Sequence, residues 1–227
     1  MSDYPRRSYE EGVLLEHLTW FRQSAIRWSD GAYTVYIDPW GTPEGAPAAD
    51  VILITHAHFD HLQPDEIARL SRAATRVFAP DDVAAGLTGN VTAVQPGERH
   101  EADGLRFTTV PAYNTREEAL EFHPKANGWV GYVLELGDIT YYHAGDTDHA
   151  PELSDVRSDV VFLPIGGRYT MDPVEAAGLA NAIGPRLAVP MHFGFVVGSA
   201  SDADRFRRAA APIAVEVMTP TDPFERP

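Results

Sequence analysis

The run Thr55-His56-Ala57-His58-Phe59-Asp60-His61 places four potential metal ligands within six residues. It follows a continuous apolar stretch, Val51 to Thr55, which reads as a strand buried on both faces. Imidazoles and a carboxylate at the end of such a strand would cost burial free energy unless paired or metal-bound. His56 and His58 are two residues apart, so in an extended segment both rings project to one side. Asp60 and His61 fall where the chain turns toward a helix opening at Pro64, and that turn lets them address a second metal close to the first. A solvated polar turn accounts for a single histidine but not for this spacing. Two ions about 3.5–4 Å apart acidify a bridging water toward neutrality, so a metal-bridged hydroxide can attack a carbonyl carbon or a phosphorus centre. Asp60 would position that nucleophile and carry a proton to the leaving group. The chain has no cysteine. Any metal must therefore be held by His, Asp or Glu, and a thiol nucleophile is excluded.

The elements that must carry these residues are short. Runs at Val13–Leu18, Ser24–Trp28 and Tyr33–Ile37 read as strands, the last two joined through Ser29-Asp30-Gly31. Pro64 to Arg72 reads as a helix, with Ile67 and Leu70 spaced to face a core. Alternating signals follow at 76–79, 81–87, 91–94 and 105–110. A polar insertion, Asn114 to Asn127, interrupts this rhythm before a hairpin formed by 129–136 and 139–143 around Gly137-Asp138. Beyond it lie strand 160–163, a helix from Pro173 to Ile183 with Asp172 and Glu175 in capping-box positions, strand 187–190, helix 202–211 and strand 213–217. The proline-rich tail, 219–227, reads as frayed. In each half hairpins come first and helices then alternate with strands, which points to mixed sheets covered by helices rather than one doubly wound parallel sheet. No linker divides the 227 residues, so one domain over 1–227 is expected.

Composition narrows the function classes. The formal charge of −15 opposes a nucleic-acid footprint, because phosphate backbones select basic surfaces. Lys125 is the only lysine; every other cation is arginine. A halophilic surface and arginine-rich codon usage explain that bias equally well. The apolar stretches are strand-length, short of the roughly 20 residues of a membrane span. The N-terminus, Met1 to Glu11, lacks the apolar core of a signal peptide. The expectation is a cytoplasmic protein with a small-molecule substrate and no nucleic-acid partner; oligomeric state is unreadable.

The His56–His61 run resembles the His-x-His-x-Asp-His motif of the metallo-β-lactamase superfamily, whose fold is a four-layer αββα sandwich with two metals between its sheets. Other landmarks follow in order over roughly Gly12 to Val217. Asp38 resembles the acidic residue that ends an early strand and supports the ligand loop. Gly145-Asp146-Thr147 resembles the strand-end aspartate that bridges the metals, and Pro190-Met191-His192 the final histidine of the second site. The family's usual third ligand of the first metal is a histidine after a strand end. Here Val110-Pro111-Ala112 is followed instead by Tyr113 and Asn114. Three histidines compete for the role. His100 lies in an acidic loop, and His143 on the Asp146 strand suits a place behind the metals. His123, in the insertion that begins where the usual histidine is missing, is preferred, since a loop of that length can fold back and return a ligand.

The expected ligand set is thus His56, His58, Asp60, His61, His123, Asp146 and His192, supported by Asp38 and His143. Diiron redox relatives carry Glu in place of the second histidine, here His58, so hydrolysis is favoured over redox chemistry. The nitrogen-rich set suits zinc, with manganese, iron or nickel also compatible with the ligand types. Tyr142 to Thr147, Leu163 to Gly167, Tyr169 to Met171 and Glu175 to Ala177 resemble the compact branch that includes ascorbate-6-phosphate lactonase and N-acyl-phosphatidylethanolamine phospholipase D. The resemblance implies hydrolysis of a small-molecule ester, lactone or phosphodiester. A nuclease-type phosphodiesterase and a non-enzymatic metal-binding protein with a degenerate site are the alternatives. Asn114 and Arg168, with Arg116 and Lys125, are the expected substrate contacts at the mouth.

Overall fold

A computed structural model describes residues 11–226; the polar N-terminal stretch, residues 1–10, and Pro227 lie outside them. Two mixed sheets face each other. The first contains β1 (Leu18–Trp20), β2 (Ile26–Ser29), β3 (Thr34–Ile37), β4 (Val51–Leu53), β5 (Arg76–Pro80) and β6 (Asn90–Val94), in that spatial order. The second contains β7 (Arg99–Ala102), β8 (Leu105–Pro111), β9 (Val130–Leu136), β10 (Ile139–His143), β11 (Val160–Pro164), β12 (Leu187–Met191) and β13 (Ala214–Val215), again ordered as in the chain. Each sheet begins as antiparallel hairpins and continues as parallel strands. The reason is connection length: tight turns allow only antiparallel neighbours, whereas parallel neighbours need crossovers. Longer connections supply them: a helix-free loop and the helices α2 (Pro64–Leu70) and α3 (Asp81–Ala84) on the first sheet, a 3-10 turn (Pro151–Asp155) and the helices α4 (Pro173–Ile183) and α5 (Asp202–Ala209) on the second.

The two-residue alternation of a strand sorts the core into layers. In β4, Val51 and Leu53 enter the core between the sheets, while Ile52 and the following Ile54 join Ile67, Leu70 and Val83 beneath α2 and α3. The inter-sheet core continues through β11 and β12 to Ala176, Leu179 and Phe206 of the helices beyond. This is the expected four-layer αββα sandwich. The α4 cap is also as expected: Asp172 accepts from the backbone N–H of Val174 and Glu175, and Glu175 returns a bond to the Asp172 N–H. No helix among the described residues is long and apolar enough to cross a membrane.

Three expectations are corrected. Val13–Leu18 is not one strand: a short helix, α1 (Glu11–Leu15), precedes β1. Leu14 alone is buried while Val13 is exposed, so the run lacks the alternating face a strand needs. The acidic segment around His100 is not a loop but edge strand β7, paired to β8. Its charged residues face outward, which hid the alternation. The 219–226 tail is docked rather than frayed. Phe224 packs 5.3 Å from Phe193 and 5.7 Å from Trp20, and the Thr221 N–H donates to the Trp20 carbonyl.

Candidate metal centre

The candidate ligand residues leave the carboxyl ends of three strands at one edge of the sandwich, with His123 returned there by the insertion after β8. Beyond β4 the chain stays extended, and the two sheets are tied there: Val130 N–H donates to the Thr55 carbonyl, and the Tyr132 hydroxyl to that of Ile54. His56 and His58 follow. The amides of His61 and Leu62 then both close on the His58 carbonyl, and that turn reverses Asp60 and His61. β10 delivers Asp146 through Gly145, whose φ of 63° suits a residue without Cβ. β12 delivers His192. At Gly166 an added Cβ would lie 2.6 Å from the His192 carbonyl, so only glycine lets the two loops meet.

These residues form two groups able to hold cations: His56, His58, His123 and Asp146 in one, Asp60, His61 and His192 in the other. Asp146 faces both. One carboxylate oxygen is 2.9 Å from His192 Nε2 and 3.3 Å from His123 Nε2, and the other is 3.3 Å from His61 Nε2. In the first group His56 Nε2 and His58 Nδ1 are 3.1 Å apart. Ligands about 2.0–2.1 Å from one zinc ion stand roughly 3.3 Å apart in a tetrahedron. The buried Nε2 atoms of His61, His123 and His192 and one Asp146 oxygen have no hydrogen-bond partner. Each such orphan costs about 1–3 kcal/mol. Close approach without hydrogen-bond geometry is how atoms aimed at a shared ion are arranged, and the residues fit metal binding.

The supporting shell selects the tautomers. Asp38 accepts from the Thr55 N–H and hydroxyl (2.8 and 2.6 Å) and from His61 Nδ1 (2.7 Å). With its proton committed to Asp38, the Thr55 hydroxyl accepts from His56 Nδ1 at 2.9 Å. One carboxylate therefore frees a ring nitrogen for each group. His123 is supported differently. The Asn114 amide nitrogen donates to Asp148 (3.0 Å) and to the Tyr169 carbonyl (2.8 Å), so its oxygen accepts from His123 Nδ1 at 2.7 Å. His123 Nε2 is left to face Asp146. His143 is buried behind the site, its Nε2 bonded to the Ser24 carbonyl at 2.8 Å.

Burial opposes charge throughout the centre, yet the mutual fields prevail. The carboxylates of Asp146 and Asp60 push His192 up to about 9. Those of Asp146, Asp60 and Asp38 raise His61 well above the ordinary histidine range. The imidazoles of His61 and His192 hold Asp60 down to about 2 and Asp146 well below the usual carboxylate range. His56 is pushed the other way, first by burial and then by the rings of His61, His123 and His58.

Of the expected substrate contacts, Asn114 turns inward and Arg168 lies at the surface. Asn114 is buried, with its side chain fully engaged by His123, Asp148 and Tyr169. Arg116 is bound to Asp148 and to the carbonyls of Gly167 and Thr170, and Lys125 to Glu152 and the Tyr113 hydroxyl. Arg168 is exposed, its guanidinium 5.1 Å from the centre of the Tyr169 ring. The cleft of about 270 Å³ over the ligands is instead walled by Phe59, Phe122, Tyr169 and Val196, with His58, Asp60, Asp146 and His192 at its floor.

Sequence reasoning missed Gln23. Its side-chain N–H donates to Asp60 (3.3 Å), and its carbonyl accepts the His192 N–H (2.9 Å) and the Trp20 indole (2.8 Å). Gln23, Asp38 and His192 have φ of 47°, 48° and 57°. Non-glycine residues rarely adopt this left-handed region, and such strain gathers at functional sites. A lone glutamine in a polar turn carries no signal in sequence.

Two mixed sheets between helical layers, with a paired His/Asp cluster at the strand ends, define the metallo-β-lactamase architecture. Residues 17–192 match the model of the beta-lactamase superfamily domain. The chain is 31% identical to a UPF0173 metal-dependent hydrolase of Methanopyrus kandleri, over 92% of this chain and 99% of that one. The chain belongs to the beta-lactamase superfamily and, within it, to the UPF0173 family. It is similar to the crystal structure of a candidate metal-dependent hydrolase of Parabacteroides distasonis (28% identity, TM-score 0.80, covering 90% of this chain and 93% of that one). It is also similar to Igni18, a metallo hydrolase of Ignicoccus hospitalis (25% identity, TM-score 0.71, 90% and 95% covered).

Proposed function

We propose that this chain is a metal-dependent hydrolase with a two-ion centre, zinc being the ion its nitrogen-rich set suits best, that acts on a small-molecule ester, lactone or phosphodiester. The carrying observation is the pair of ligand groups that share Asp146, with buried and unpartnered ring nitrogens aimed inward. Membership in a family of metal-dependent hydrolases supports the reading. His56, His58 and His123 with Asp146 would hold one ion; Asp60, His61 and His192 with Asp146 the other. Bound there, divalent ions supply Lewis acidity and a water acidified toward neutral pH.

The remaining work falls to the chain. Asp38 and Asn114 hold the ring tautomers. Asp60, fixed by Gln23 and placed on the cleft floor, takes a proton from the attacking water and returns it to the departing oxygen.

Elemental analysis of the wild type and of His123→Ala tests this reading. Two ions per chain falling toward one in the variant supports the two-ion centre with His123 in it. Two ions in both removes His123 from the ligand set. One ion or none in the metal-replete wild type overturns the two-ion centre.

A further inference from the structure

Above the ligands the cleft presents carbon. Phe122 packs edge-on against Tyr169 at 4.7 Å, and Phe59 edge-on against Trp40 at 5.9 Å. Phe59 is 60% exposed although it sits within the ligand run. An exposed aromatic beside an apolar cleft is a contact waiting for an apolar ligand.

Among the described residues no Lys or Arg lines this cleft; Arg168, exposed, stacks on the Tyr169 ring at 5.1 Å without lining it. Arg116 and Lys125 are held as described above, by Asp148 and Glu152. Arg22 lies 4.5 Å from the Trp40 ring and 5.2 Å from that of Phe195, paired with Asp222 and Glu225. An anionic group away from the reacting carbonyl is usually met by guanidinium or ammonium, and neither lines the wall. The carboxylates of Asp38, Asp60 and Asp146 would neutralise most of the charge that two divalent ions bring. The −15 net charge of the chain repels anions at longer range.

Resting on the hydrolase reading, we propose that the substrate is an uncharged carboxylic ester or lactone with a short apolar chain, gripped by Phe59, Phe122, Tyr169 and Val196. Water adds to the carbonyl carbon and the acyl C–O bond breaks. One proton of the water passes to the leaving alkoxide, and the other is released as the acid ionises. At about 270 Å³ the cleft lies just below the usual range of pockets for drug-sized ligands, so it suits only a short chain.

The test separates charge from reactivity. Metal-replete protein is given p-nitrophenyl esters from acetate to octanoate, then mono-p-nitrophenyl adipate, which has the hexanoate length with a terminal carboxylate. We expect kcat/KM to rise about fourfold per methylene up to about six carbons and then level off. The adipate should lag hexanoate on the order of a hundredfold. Calorimetric titration should show the neutral, unhydrolysed hexanamide binding more tightly than adipic acid monoamide by a similar factor. Phe122→Ala should flatten the chain-length gain with metal content unchanged, and Val196→Lys should narrow the adipate deficit. Preference for the adipate, lost in Arg168→Ala, would overturn the proposal in favour of an anionic substrate, as would faster turnover of bis(p-nitrophenyl) phosphate than of any ester. In either case the hydrolase reading would stand. If no ester or phosphodiester is hydrolysed with two ions bound, the hydrolase reading fails. Equal binding of the two amides would then overturn the cleft assignment separately.

Discussion

His56 and His123 approach the same Asp146 carboxylate from opposite kinds of structure. Both are 1% exposed. His56 rides on the end of a central strand, where Thr55 joins the two sheets and Asp38 orients the ring through the Thr55 hydroxyl. His123 arrives on an insertion containing only two short 3-10 turns, Glu117–Ala119 and Lys125–Asn127. There the order comes from a chain of polar contacts: Arg116 holds Asp148, Asp148 holds Asn114, and Asn114 holds His123. A strand end is ordered by the core beneath it. A loop must be ordered by specific bonds, and segments with few apolar contacts open at lower free energy than the core.

The largest expected effect removes what the two regions share. Asp146→Ala should abolish binding of both ions, as read by elemental analysis, and leave no measurable turnover. Next, Asn114→Ala should weaken affinity for the first ion by about 10–100-fold, the usual cost of losing the partner that orients a ligand. Chelator competition would show this, and Asn114→Asp should not recover it, because a buried carboxylate would replace the amide N–H that donates to Asp148 and to the Tyr169 carbonyl. Equal loss of both ions in Asn114→Ala would break the contrast drawn above.

Arg116→Ala leaves Asp148, itself 1% exposed, without its cation. We expect about 2 kcal/mol of lost stability, read from denaturant midpoints. Amide exchange should quicken in 114–127 and stay unchanged in β4.

The pH dependence of the metal-free chain follows from the direction of each shift. His192 is raised from 6.5 to about 9, so its contribution to stability is complete below about 6.5 and is lost as pH climbs through about 9. Asp60 is lowered from 3.8 to about 2, so its contribution is present above about 3.8 and is lost as pH falls through about 2. Metal-free stability should therefore be greatest between about pH 4 and 6.5. Affinity for the second ion should tighten with rising pH toward 9, because the cation must displace the His192 proton. A metal titration flat from pH 6 to 9 would contradict the charge state assigned to His192. The smallest change, Asp172→Ala at the α4 cap, should cost about 1 kcal/mol and leave both ions in place.

Legibility varied with the distance over which a feature is determined. The α4 capping box and the 26–37 hairpin rest on neighbouring residues, and they were readable without further context. β7 was hidden because an edge strand turns charged residues to solvent, and the docked tail because Phe224 finds partners only across the fold. Within the centre, His56, His58, Asp60 and His61 announced themselves by spacing. Asp146 and His192 needed the family pattern, and Gln23 gave no sign. Asn114 looked like a mouth residue because a polar side chain in a loop does not reveal which way it points.

By itself, then, the sequence determined the ligand types, the spacing of the central run and the order of the elements, all set by local backbone geometry and hydrophobic period. Only the tertiary structure decided which histidine stands beside His56, His58 and Asp146, which ring nitrogen each histidine leaves free, and that no Lys or Arg among the described residues lines the cleft. Those outcomes depend on contacts between residues far apart in the chain, such as Asn114 with Asp148 and Gln23 with Asp60, whose energies exist only once both sheets have closed.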